Sequence, residues 1–419
     1  MDQAETPIEN KFYSVQESVW KHTVPYFQGL PLKEDLRADV VIVGGGIAGI
    51  SIAYSLVTLG LKVVLVEKGD LGSGETVHST AHLSTALDSR YYKIEKIFGK
   101  DFSRMTADSH RAAIDFIELV CKTENIDAEF LRVPGYLLLH SSDQPYNLHK
   151  EYEAAMDAGL PVKWLDLIPG IRHGHQEGIE FMHQAQFQPL KYITGLANAA
   201  AEKGAQIFTR TQADNIYTGG ISTQQGFRVE ARYVVIATNN PVNDRNMMHG
   251  KQFAYRTYVI GLRIPKDSLP QALWWDTGDQ HAKSLLSPYH YVRTATYNNT
   301  YDLLLVGGED HPTGLAFENR EFGDDRYAAL EARTRTHFPM AAEVIYRWFG
   351  QVMEPMDGLA FIGRNPGDKD NVFIVTGDAG NGLTHGTIAA LLIPDLIMQK
   401  ENRWASLYNP SRKKNSNHG

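Results

Sequence analysis

Cysteine is almost absent from this sequence: Cys121 is the only one among 419 residues. A single thiol excludes an intrachain disulfide, an iron–sulfur cluster held by these residues alone and a cysteine-rich zinc site. Long apolar runs are absent too. Nothing approaches the roughly 18 apolar residues of a bilayer span, and the N-terminal residues lack a signal-peptide pattern, so a cytoplasmic chain with no membrane span is expected. There is no basic excess either: 41 Lys and Arg face 49 Asp and Glu, a net charge of -8, which gives no field to attract nucleic acid. The 16 histidines are scattered with no HExxH pair, so no metal site is expected. Internal repeats and low-complexity linkers are missing. What remains is an ordinary globular composition, 43% hydrophobic and 21% charged, on a chain long enough for two domains or one two-lobed enzyme. Cys121 sits in a helix-like run, 112–122, with Ile114, Ile117 and Val120 on one stripe, and reads as a small buried hydrophobe.

Along the chain, a polar arm (1–36) carries Trp20, Tyr26 and Phe27 as anchors onto the body. A strand (39–43), a helix (47–59) closed by Gly60 and a second strand (62–67) then predict a βαβ unit. Helical stretches follow at 102–122 and 147–158. The pattern returns to α/β with a helix at 192–203 and strands at 206–209 and 233–237. Strands at 258–263 and 303–306 and a charged helix at 324–337 come next. A strand (372–376), a glycine loop (377–382) and an apolar helix (387–398) close the body, and 413–419 reads as a flexible tail. This alternation predicts an α/β chain, α+β overall, with one nucleotide-binding domain built from separated pieces (37–100, 189–246 and 353–412). A second domain with a mainly antiparallel sheet and helices is inserted into it (101–188 and 247–352).

The motif that carries chemistry is Gly44-Gly45-Gly46-Ile47-Ala48-Gly49, a G-x-G-x-x-G between a predicted strand and helix. Its first glycine permits a tight turn, the second lets backbone approach a pyrophosphate, and the third allows close helix packing. Amide N–H groups and the positive helix end then face the phosphates. Glu67 ends the second strand 18 residues after Gly49. A carboxylate there accepts hydrogen bonds from the adenosine ribose hydroxyls and repels a 2′-phosphate, leaving FAD or NAD. The alternative for Glu67 is a strand-end surface acid. The second glycine loop, 377–386, precedes an apolar helix. It suits the longer FAD, whose reduced anionic ring a helix N-terminus would stabilise, unless it is a plain strand–helix turn.

The run from Ala38 to Gly49, with Glu67 and the loop of small residues after it, resembles the opening of the D-amino-acid-oxidase superfamily of flavoproteins. Ser18-Val19-Trp20, Gly308-Glu309-Asp310-His311, Gly380-Asn381-Gly382-Leu383-Thr384-His385-Gly386 and the ending 404–412 are similar to bacterial members that often carry a C-terminal Rieske domain. The likeness covers about residues 18 to 412. It implies an FAD-dependent oxidoreductase that oxidises a C–N bond of a small-molecule amine or amino acid. The alternative is a dehydrogenase, or an electron-transfer or assembly subunit without amine oxidase turnover of its own. With one cysteine these residues cannot hold a Rieske centre, so electrons would pass to dioxygen, a soluble acceptor or another protein.

The resemblance also implies site residues. Beside Gly44 to Gly49 and Glu67, the cofactor would be met by Lys68, Gly74, Thr76, His78, Ser79, Thr80, His82 and Leu83. More distant contacts would come from Ala213, Ala237, Thr238, Gly363, Gly380, Asn381, Gly382, Leu383 and Thr384. His78 falls where some members attach the flavin covalently through histidine; a noncovalent neighbour or a surface histidine are the other readings. Attachment through cysteine is excluded, because 350–353 has none. Glycine-oxidase-like members hold the substrate carboxylate with arginines, whose planar fork matches it. Here Gln351 and Gly380 stand at those two places. A simple α-amino acid held in that way is therefore not expected. Tyr289, Arg293 and His311 are the candidates for the substrate side, with Asp310, Arg132 and Tyr136 behind them, each open to a structural role instead.

Overall fold

The residues Val40, Val41, Ile42 and Val43 are apolar without alternation, as a strand covered on both faces requires. In the computed structural model they are all buried, in the strand Leu36–Val43 near the middle of a sheet. The structure describes residues 17–172, 177–242, 248–282, 288–313 and 320–412. The expected tail 413–419 and the first 16 residues of the expected arm lie outside the described residues.

This first sheet runs in the order Phe361–Arg364, Val372–Thr376, Arg228–Asn239, Leu36–Val43, Val63–Val66, Gln206–Phe208. From Val372–Thr376 to Gln206–Phe208 every neighbour is parallel. Parallel neighbours need crossovers, and the helix Ile47–Thr58 is the crossover from Leu36–Val43 to Val63–Val66. The strands come from three distant stretches of chain, so loops far apart in sequence gather at the carboxyl ends of the parallel strands. The second sheet is mainly antiparallel: Val344–Pro355, Gln252–Pro265, Tyr301–Pro312, Tyr291–Thr296, Leu273–Asp276, Leu131–Leu138, Gly178–Gln186 and His82–Leu83. The short strand His82–Leu83 belongs to the stretch expected in the nucleotide-binding domain. It pairs instead with Gln186 and Ala185 of the second sheet, and so ties the loop after the βαβ unit to that sheet.

Two local readings change. The helix expected at 387–398 spans Gly382–Ile397, so the second half of the supposed glycine loop 377–386 is helical. A Cβ on Gly386 would stand 2.9 Å from Ile47 Cγ2. Gly386 thus serves close packing of this helix on Ile47–Thr58, which a one-dimensional reading takes for loop composition. Trp20 anchors the arm as expected: it is buried, and its indole Nε1–H donates to the Ser79 carbonyl at 2.7 Å. Cys121 is buried in the main core cluster. Among the described residues no helix is long and apolar enough to cross a membrane.

Candidate functional site

The helices Ile47–Thr58 and Gly382–Ile397 begin beside one another, and their N-cap residues Gly46 and Asn381 make no side-chain cap hydrogen bond. Both N-termini line one elongated cavity of about 640 Å³, within the range of small-molecule and cofactor sites. Uncapped helix N-termini present amides to an anion, although the first of Ile47–Thr58, that of Ile47, is taken by Thr76 Oγ1. The turn between strand and helix is held by close backbone approaches. Gly44 has φ +107°, and a Cβ there would lie 2.4 Å from the Ala237 carbonyl oxygen. A Cβ on Gly49 would lie 1.9 Å from the Gly44 carbonyl oxygen. The third glycine of the motif therefore lets the helix close on the turn itself.

Glu67 accepts from the Gly45 amide at 2.7 Å and the Gly69 amide at 2.8 Å, one on each carboxylate oxygen. A carboxylate offers about four acceptor positions, so capacity for ribose hydroxyls remains. Thr76 Oγ1 accepts from the Ile47 amide at 3.1 Å, which frees its own hydroxyl hydrogen to point elsewhere. His82 Nε2 faces the Val292 carbonyl at 3.2 Å and must donate to it; Nδ1 then accepts from Thr80 Oγ1 at 2.9 Å. Burial, and secondarily Arg293, push His82 down to about 3, so the ring is neutral. His78 lines the cavity with its titration lowered by burial and by Lys21. Its carbonyl accepts from Trp348 Nε1 at 2.8 Å.

The cavity gathers most of the residues expected at a cofactor. Gly44, Gly46, Ile47, Ala48, Glu67, Lys68, Gly74, Thr76, His78, Ser79, Thr80 and His82 line it, as do Ala213, Ala237, Thr238, Gly380, Asn381, Gly382 and Leu383. Gly45 and Gly49 stand behind the wall and shape the turn. Three further expected positions do not line it. Leu83 is fully buried in the hydrophobic core. Thr384 turns its hydroxyl back to the Asn381 carbonyl at 2.9 Å. Gly363 packs on Pro410, whose Cδ a Cβ there would meet at 3.0 Å.

On the substrate side the picture is redrawn. Tyr289 lines the cavity, and its hydroxyl donates to Asp88 Oδ2 at 2.9 Å. Arg293 does not line it. Its guanidinium donates to the carbonyls of Thr80, Ala81, Phe187 and Thr294 at 3.0–3.2 Å and lies over Trp20, pinning the loop from beneath. His311 stacks on Tyr258 at 5.7 Å on the face of the sheet that carries Tyr327, because strand alternation turns its neighbour Asp310 into the cavity and His311 away. Arg132 is spent on Asp115 and Glu118, and Tyr136 packs on Trp274. Sequence reasoning missed Asp88, Tyr255, Thr257 and Asp378, all on the wall. No motif marks them, and the strand expected at 258–263 begins after Tyr255 and Thr257, which Gln252–Pro265 places two residues apart on one face.

The wall is acidic. Glu67, Glu75, Asp88, Asp310 and Asp378 line the cavity, and among the described residues no arginine does. Tyr291 and Thr257 hydroxyls are 2.8 Å apart. Thr257 stabilises the ionised form of Asp310, but burial dominates and pushes Asp310 up to about 7. Burial also raises Asp378 to about 7 and raises Asp88. A larger depression of about 810 Å³ around Arg37, Tyr217 and Arg232 is open to solvent and offers no such desolvation.

The Asp310→Asn variant tests this burial. The folded value of about 7 lies above the unfolded 3.8, so the folded state holds the proton more tightly. Wild type therefore loses stability as pH rises from about 4 to about 7, and the amide variant escapes that loss, by up to about 4 kcal/mol. Thermal unfolding of the ligand-free protein should show the variant gaining on wild type between acidic and mildly alkaline pH. A difference that stays flat with pH would mean that Asp310 ionises as an exposed acid does.

A family model described as DAO, FAD dependent oxidoreductase, matches residues 39–396. A relative named putative Rieske 2Fe-2S iron-sulfur protein YhfW, of Bacillus subtilis (strain 168), is 28% identical over 400 residues, 94% of this chain and 75% of that protein. Gamma-glutamylputrescine oxidoreductase of Escherichia coli (strain K12) is 24% identical over 397 residues, 90% of this chain and 88% of the other. Among solved structures, glycine oxidase from Geobacillus kaustophilus superposes with a TM-score of 0.72 at 20% identity, covering 90% of this chain and 99% of that one. L-proline dehydrogenase from P. horikoshii gives 0.70 at 18%, covering 91% and 98%. At these identities the structural likeness carries the fold alone.

Proposed function

The chain belongs to the DAO family of FAD-dependent oxidoreductases, and from that premise we propose that it oxidises a C–N bond of an amine or amino acid by hydride transfer to flavin N5, with the electrons passed to dioxygen or another acceptor. The observation that carries this reading is the continuity of one cavity. It runs from the glycine turn and Glu67 to a wall of Tyr255 and Tyr291 on the antiparallel sheet, with Tyr289 just ahead of the strand that Tyr291 opens. The first end suits a dinucleotide; the second suits an organic substrate held out of water. Relatives named for gamma-glutamylputrescine and glycine support an amine or amino-acid substrate.

The reacting nitrogen must be neutral. The three tyrosines remove water around it, which disfavours the ammonium form. Asp310, ionising near neutrality, is placed to take the proton that an incoming ammonium gives up. The hydrogen bond from Tyr289 to Asp88 fixes one side of the wall, and the Tyr291–Thr257 contact fixes the other. With no arginine on the wall among the described residues, an amine is favoured over a simple α-amino acid.

Anaerobic mixing with a panel of primary amines, N-methyl amines and α-amino acids checks this. Loss of the oxidised flavin's visible absorbance is expected with amines, and its return on admitting air would identify dioxygen as an acceptor. A panel in which no compound bleaches the flavin would favour a carrier without turnover of its own.

A further inference from the structure

A second chamber of about 320 Å³ adjoins the first, and the two share Asp88, Tyr255, Tyr289 and Asp310 as a common wall. Six carboxyls line it, Asp88, Asp143, Glu151, Asp310, Glu354 and Asp357, against two cations, Arg90 and Lys93. Most of these have partners; Glu151 accepts from the Tyr92 amide at 3.3 Å on Oε2, while its Oε1 has none. Asp357 is held by Arg412 at 2.7 and 2.8 Å. Asp143 accepts from the Gln144 amide and Asn147 Nδ2, both at 2.8 Å. The Arg90 guanidinium donates to the Leu87 and Asp276 carbonyls. Lys93 lies within electrostatic reach of Asp143 and Glu151 at the far end.

Glu354 is different. It is only 6% exposed, and its Oε2 has no hydrogen-bond partner. The largest charges acting on it are those of Asp88, Asp378, Asp310 and Asp357, every one an acid. Burial and these acids together hold its carboxyl well above the usual range. Asp310 Oδ1 on the common wall is likewise buried without a partner. A buried carboxyl facing other carboxyls, with acceptor positions unmet, is costly unless a cation completes it. Among the described residues no three ligating side chains are grouped to hold a metal ion. Tyr255 and Tyr289 place ring surface beside the acids, which suits an organic ammonium.

We propose that this chamber is the subsite for a second ammonium group, with Glu354 receiving it, and that the substrate class is a diamine or polyamine. The proposal rests on the amine-oxidation reading for the reacting end, where Asp310 and Asp88 form the boundary. Glu354 is then the residue that sets substrate specificity.

Flavin-loaded protein is titrated with 1,4-diaminobutane, N-(3-aminopropyl)-1,4-diaminobutane, butylamine and 4-aminobutanoate. Calorimetry reads binding, and anaerobic bleaching reads turnover. The diamine and triamine are expected to bind about 10- to 100-fold more tightly than butylamine, the range of one charge-assisted hydrogen bond. The carboxylate-ended compound should bind more weakly than butylamine. In Glu354→Gln the preference for the second ammonium should collapse. Should that variant fail to fold, Glu354→Asp, which withdraws the charge by one methylene, should shift the preferred diamine to a longer chain. Butylamine or 4-aminobutanoate binding as tightly as the diamine overturns the proposal, and so does a diamine preference that Glu354→Gln leaves intact. Selective diamine binding through Glu354 without any bleaching would sink the amine-oxidation reading and keep the subsite. Bleaching by amines regardless of a second charge would do the reverse.

Discussion

Gly44→Val protein is expected to purify without flavin, losing at least about three orders of magnitude in FAD affinity. The native φ of +107° is a conformation that β-branched residues do not adopt without strain of order 1–3 kcal/mol. The first side-chain carbon would also stand 2.4 Å from the Ala237 carbonyl oxygen. Since that neighbour is backbone of the adjacent parallel strand, paired from Leu36↔Val229 to Val43↔Ile236, relief must come from the turn. The turn carries the amides at the start of Ile47–Thr58, so it moves the anion site with it. Flavin-to-protein ratio after purification, followed by titration of the apoprotein with FAD, measures the effect. A yellow Gly44→Val protein with a full flavin complement would place the cofactor elsewhere.

The second large effect belongs to Glu67. Its carboxylate holds the Gly45 and Gly69 amides together and would receive the ribose hydroxyls as well. Hydrogen bonds to a charged group contribute about 1.5–3 kcal/mol each, and a leucine forfeits both existing ones as well as those to the ribose. Glu67→Leu should therefore weaken FAD by about two to three orders of magnitude. Glu67→Gln, which keeps one acceptor oxygen, should fall in between. Equilibrium titration of apoprotein gives both values. An affinity for Glu67→Leu indistinguishable from wild type would reduce Glu67 to a tie within the turn. The Glu67 and Gly44 variants act by different causes, since one removes an acceptor and two ties to backbone amides, while the other keeps the acceptor and displaces the turn.

The cofactor end was legible because its determinants are local. Gly44, Gly46 and Gly49 lie within one turn, and Glu67 follows at the end of the next strand, so the chemistry is written in spacing. The later glycines, from Gly380 to Gly386, were legible as important but not as helix. Gly386 packs against Ile47, more than 330 residues earlier in the chain, a closeness that sequence spacing does not record. Arg293 and His311 show the limit of residue-type reasoning. Both carry suitable chemistry, yet one is consumed by four carbonyls and the other faces the opposite side of its strand.

The sequence alone thus marked a strand–turn–helix of the kind that holds a dinucleotide, with an acid at the end of the next strand. It also determined, through Gln351 and Gly380, that the usual arginines for a carboxylate are missing. Only the tertiary structure decided what stands in their place. Asp88 comes from the loop after His82–Leu83, Asp310 from Tyr301–Pro312 and Glu354 from Val344–Pro355. Each acid is unremarkable in its own segment. They meet because a cofactor loop is paired into the second sheet, and they become costly because that meeting place is buried. Burial and like-charge crowding are properties of the assembled fold, with no local signature for a sequence to carry.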